Sequence, residues 1–109
     1  MESRELQPDS PIELHLRIQV KPGKRLAFLD FLGEAVPVYE SPGGIRVRLL
    51  EDLSNDHRFI EVLCYDDESA YWQDQERIAH DPEVKRLLER WRALLVRPPE
   101  VEVYRSRTL

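Results

Sequence analysis

One cysteine, Cys64, in 109 residues rules out an internal disulfide and fits a reducing compartment. No apolar run approaches the ~20 residues that a membrane helix needs. The opening stretch, Met1 to Ser10, is polar and has no apolar signal-peptide core. Basic charge is also short. Sixteen Lys and Arg stand against 21 Asp and Glu, a formal net charge of -5. Without a basic field, neither a nucleic acid nor an anionic membrane is an expected partner. The absences point to a cytoplasmic protein. Glycine-rich phosphate loops, nucleophile elbows and paired-Cys metal sets are missing as well. The three histidines, His15, His57 and His80, lie too far apart in sequence to argue for a metal site.

What is present suits one compact domain. The mass is 12.9 kDa and 41% of residues are hydrophobic, enough for one core. Residues 1–10 read as a loosely held polar lead, and 11–109 as the domain.

Ile12, Leu14, Leu16, Ile18 and Val20 alternate with Glu13, His15, Arg17 and Gln19, which predicts a strand with one apolar face. Lys21-Pro22-Gly23 stops it. The apolar stripe from Leu26 to Val36 predicts a helix that kinks or ends at Pro37. Residues 45–50 and 58–65 predict two strands joined as a hairpin through Ser54-Asn55-Asp56. Asp66-Asp67-Glu68 opens a second helix, with negative charge at the positive end of its dipole. Asp81-Pro82 interrupts that helix, with Asp81 as the cap of a new segment. Val84, Leu87, Leu88, Trp91, Leu94 and Leu95 give its apolar face. Residues 100–105 form a last strand. The order β-α-β-β-α-β is the ferredoxin-like α+β pattern. It implies a four-stranded antiparallel sheet, with the helices on one face and the first and third strands central.

The other face of the sheet is then left open. Assigning Ile60, Val62 and Cys64 to the helix side puts Phe59, Glu61, Leu63 and Tyr65 on the open side beside His15, Arg17, Arg46, Arg48 and Tyr104. Such a mixed aromatic face is most simply covered by a second copy through two-fold symmetry. It would enclose charged groups between aromatic walls, as a small-molecule site does.

Three stretches carry a family resemblance, beyond the order of elements. They are Val20-Lys21-Pro22-Gly23, Val36-Pro37-Val38-Tyr39-Glu40 leading to Gly43-Gly44, and Gln75-Glu76-Arg77 leading to Asp81-Pro82-Glu83. Over residues 12–105 the chain resembles the dimeric α+β barrel superfamily, in particular its antibiotic-biosynthesis-monooxygenase and NIPSNAP-like small proteins. The resemblance implies a homodimer. Enzymes of the group oxidise quinol-like or polyketide aromatics without a cofactor, and other members degrade haem. Some oxygenases of the group use a first-strand Asn, where this chain has His15, Arg17 and Gln19. Trp72 and His80 stand nearest to an aromatic and a His that some members use on the second helix.

His15 and Glu61, expected on neighbouring strands and one face, form the candidate catalytic pair. A carboxylate that orients an imidazole makes it a base near neutral pH. Such a base could deprotonate a phenolic or enolic substrate, making it electron-rich enough to meet oxygen. Arg17, Arg46 and Arg48 would bind the anion, with Phe59, Tyr65 and Trp72 as aromatic walls. The same residues also suit a non-catalytic dimer, with His15–Glu61 as a cross-strand pair and Arg17, Arg46 and Arg48 solvated or paired with Glu13, Glu51 or Glu102. Haem binding is a third reading, and would show as a Soret band weakened by His15→Ala or His80→Ala. Cys64 is expected to be buried and inert.

Overall fold

The computed structural model describes residues 10–109, so the polar lead lies outside the described residues except for Ser10. Seven elements follow in order: β1 (Ile12–Gln19), α1 (Arg25–Glu40), β2 (Ile45–Asp52), β3 (Asn55–Tyr65), α2 (Glu68–His80), α3 (Pro82–Ala93) and β4 (Glu100–Arg105). The strands make one antiparallel sheet in the order β2-β3-β1-β4, with β1 and β3 central as the pattern requires. Among the described residues, no helix is long and apolar enough to cross a membrane.

Helix α1 runs through Pro37 to Glu40 rather than ending there. Only the last turn lies beyond the proline, and its carbonyls find outside donors. Arg77 donates to the carbonyls of Val38 and Tyr39, and Ser41 donates its hydroxyl to Val38. These bonds offset what a proline costs a helix. The chain then turns through Gly43 and Gly44, both at positive φ, where a side chain would be strained. Asp67 caps α2 by accepting from the amide of Ala70. Asp81 caps α3 by accepting from the amides of Glu83 and Val84, ahead of a proline in the first turn.

Register decides which residues face the helices. Leu16 lies opposite Glu61, and His15 opposite Val62. On the other side of β3, Arg46 lies opposite Cys64, Arg48 opposite Val62 and Leu49 opposite Glu61. Residues directly opposite each other share a face. Phe59, Glu61, Leu63 and Tyr65 therefore point to the helices. Ile60, Val62 and Cys64 join His15, Arg17, Arg46 and Arg48 on the open face. The face assignment expected for β3 is inverted, because a one-residue shift in phase turns every side chain over. Cys64 is accordingly half-buried rather than buried, with its Sγ 3.9 Å from Glu13.

The core between sheet and helices is in two parts. One gathers Ile18, Val20, Phe28, Phe31, Phe59, Leu87 and Trp91; the other gathers Ile12, Leu14, Ile45, Leu63 and Tyr65. Leu16 packs against both, and Glu61 sits opposite it at the divide.

Asp81 is both the end of α2 and the cap of α3, so it sets the angle between them. Asp81→Ala should lower the stability by about 1 kcal/mol, read as a shift in the urea midpoint at unchanged slope.

Candidate functional site

The helix layer leaves β4 uncovered. Val101 and Val103 pair with Leu16 and Leu14 and so face the helix side, yet they are 56% and 50% exposed. Behind them lies a cavity of about 310 Å³ between sheet and helices. Its floor is Leu14, Leu16 and Leu63. Its roof comes from Tyr39 of α1, from Tyr71, Asp74 and Ile78 of α2, and from Val84, Leu88 and Trp91 of α3. The wall is mostly apolar, with a few polar groups set into it, as small-molecule pockets are.

Glu61 is the central polar group of that wall. It is only 2% exposed. The indole N–H of Trp91 donates to its Oε1 at 2.7 Å. Burial pushes the carboxyl up to about 7, opposed by that one hydrogen bond. A carboxyl with that value exchanges a proton near neutral pH.

Asp74 is also buried, but it is fully engaged. Tyr65 donates its hydroxyl to Oδ2 at 2.6 Å, and Arg77 stands 3.8 Å from Oδ1. Burial and the bond to Asp74 raise the Tyr65 phenol well above its ordinary range. Tyr39 differs, since its buried hydroxyl has no hydrogen-bond partner among the described residues. Burial, followed by the nearby charge of Glu61, pushes its phenol upward, so the hydroxyl stays protonated at physiological pH.

The residues expected at the site are divided between the two faces. His15 and Glu61 do not form a pair. His15 projects from the open face, 2.9 Å from Glu13 and edge-on to Tyr104. A carboxylate does hold the imidazole, but it is the one two residues away on the same strand. Arg17 is also on the open face and pairs with Glu102 at 3.0 Å. It borders a second cavity of about 450 Å³ with Gln19, Asp52, Arg58 and Arg97. That cavity has no buried titratable group in its wall, and its arginines and acids are solvated, so we assign the site to the smaller one. Arg46 and Arg48 are exposed and line neither cavity. Phe59 lies in the core against Phe28, ring centroids 5.0 Å apart, and Tyr65 is spent on Asp74. Trp72 is 57% exposed and donates to Glu68, while its neighbour Tyr71 lines the cavity. His80 is exposed beside Glu76.

Sequence reasoning passed over Tyr39, Asp74 and the indole N–H of Trp91. Asp74 left a legible signal. It interrupts the apolar row Tyr71–Ile78 at helical spacing, and a polar residue there needs a buried partner.

A family model described as antibiotic biosynthesis monooxygenase matches residues 11–80. None of the curated proteins matches the chain in sequence. Several solved structures share its fold. A conserved protein from Methanosarcina mazei Go1 is 20% identical with a TM-score of 0.77, covering 94% of this chain and 99% of its own. SnoaB, a cofactor-independent oxygenase from Streptomyces nogalater, is 17% identical with a TM-score of 0.75, covering 92% and 96%. Rv0793 from Mycobacterium tuberculosis is 19% identical with a TM-score of 0.73, covering 92% and 98%.

The raised Glu61 value fixes a pH dependence of stability. Between the unfolded value of 4.5 and the folded value of about 7, the folded state holds the extra proton. Stability is therefore greatest below the unfolded value and falls as pH rises through that window. The loss should approach roughly 3 kcal/mol. Glu61→Gln should flatten this fall, checked by urea unfolding on either side of the window.

Proposed function

The chain belongs to the antibiotic biosynthesis monooxygenase family, and from that premise we propose that its inner cavity binds a small phenolic or enolic molecule for oxygenation without a cofactor. The observation that carries this reading is Glu61, a buried carboxyl poised near neutrality in the wall of an apolar cavity. A ligand with an acidic hydroxyl that reaches Glu61 gives it a proton. The resulting anion is electron-rich enough to pass an electron to dioxygen, and the apolar walls keep water from the encounter. Trp91 orients the carboxylate through its N–H, and its ring forms part of the roof. The likeness to SnoaB, a cofactor-independent oxygenase of the same fold, supports the reaction class.

The open face supports a second element of the proposal. Leu50 and Tyr104 remain exposed there, beside the ion pair Arg17–Glu102 and the pair His15–Glu13. We assign this face to a homodimer, the partner that the family resemblance implies. The non-catalytic reading needs only this interface, and the inner cavity with its titratable carboxyl favours the enzyme.

A fused-ring phenol such as 2-naphthol tests the cavity. It should quench Trp91 fluorescence saturably, and Glu61→Gln should weaken binding by about tenfold or more, the loss of a charge-assisted hydrogen bond. Oxygen uptake with a readily oxidised phenol should fall with the same variant. Binding indifferent to Glu61 would sink the proposal. For the interface, light scattering should give about twice the 12.9 kDa chain mass, and Leu50→Glu, at an exposed open-face position, should shift it toward one.

A further inference from the structure

The Tyr39 hydroxyl is buried with no partner among the described residues. Buried polar groups without partners are uncommon and call for an explanation. Tyr39 and Glu61 line the same cavity from opposite layers, one on α1 and one on β3. Among the described residues Glu61 in turn has a single donor, the indole of Trp91. A protonated carboxyl is adequately served by one. An ionised carboxylate has about four acceptor positions, and burial makes their neglect expensive.

The other charged and titratable groups around the two are already committed. Asp74 on α2 holds Tyr65 and faces Arg77. Arg77 is spent on the Val38 and Tyr39 carbonyls. Arg90 on α3 grips Glu34 through both nitrogens, at 2.7 and 2.8 Å. Arg92, also on α3 and at the cavity wall, is exposed. The sheet neighbours directly opposite Glu61 are the apolar Leu16 and Leu49. Tyr71 and Gln75, also in the wall, are half-buried, so among the described residues the Tyr39 hydroxyl is the fully buried unpartnered donor of this cavity.

We propose that Tyr39 is a positioning residue for Glu61, its hydroxyl being the second hydrogen-bond donor that the carboxylate takes up on losing its proton. Both side chains line the same cavity, and the bond would form across it. In this structure no hydrogen bond joins the two. The hydroxyl thus lowers the pH at which Glu61 becomes a base, without touching the ligand. The bearing on turnover rests on Glu61 acting as that base.

The test is made on the full ligand-free chain. The Glu61 carboxyl carbon resonance, assigned by its loss in Glu61→Gln, is followed by NMR as pH is raised. In Tyr39→Phe its midpoint should move up by about one pH unit, since a bond to the charged form is lost. The backbone amide spectrum should stay native. An unmoved midpoint in a folded Tyr39→Phe protein overturns the inference. If that variant does not fold, the wild-type Tyr39 ring carbon bearing the hydroxyl decides. It should titrate with the Glu61 midpoint, and a flat response overturns the inference. Naphthol binding separates this from the wider reading. If the phenol fails to bind wild-type protein, the proposed function falls, while the carboxyl titration still decides the part of Tyr39.

Discussion

The pairing of β1 with β3 fixes everything else at the site. With Leu16 opposite Glu61 and His15 opposite Val62, one carboxylate goes inside and one imidazole goes out. A strand has a period of two, so there is no intermediate arrangement. The register sends a charged side chain into the layer between sheet and helices, and the helices must then answer it. Trp91 does so with its N–H. An apolar residue of the same size would fill the space and leave Glu61 without a donor. The indole therefore serves packing and polarity together, as buried tryptophans usually must.

The answer is incomplete. Asp74 shows the better-served alternative in the same cavity, with Tyr65 bonded to it and Arg77 facing it. Glu61 has one donor and an apolar floor, so desolvation wins and the proton is held to about pH 7. Two acids in one wall are thus driven to different tasks by their partners. Asp74 ties α2 to the end of α1 through Arg77, and Glu61 keeps a proton to exchange.

Much of the architecture is legible in the sequence because it follows from local rules. The alternation of Ile12 to Val20, the Gly43-Gly44 turn and the Asp81-Pro82 break each depend on a few neighbouring residues, and each appears where expected. The phase of β3 is not local. Phe59, Ile60, Val62, Leu63, Cys64 and Tyr65 make both of its faces largely apolar, so alternation gives no sign of which side meets the helices. Glu61 is then the misleading residue. A charge in an apolar strand reads as a mark of the open face, and here it marks the inner one. Pro37 misleads in the same way. Its effect on α1 depends on Arg77, which lies 40 positions away in the chain and comes near only when α2 packs.

The uncovered β4 follows from where the helices pack and has a functional consequence. The single helix layer packs α1 against β2 and α2 against β3 and leaves β4 half-exposed. Among the described residues, Val101 and Val103 therefore keep an apolar inner face that is half-exposed. In a domain of this size, leaving such a strip bare forgoes roughly 25 cal/mol for each Å² that could have been buried. The strip also lines the cavity that holds Glu61. Ligand binding would cover the same surface that folding leaves exposed.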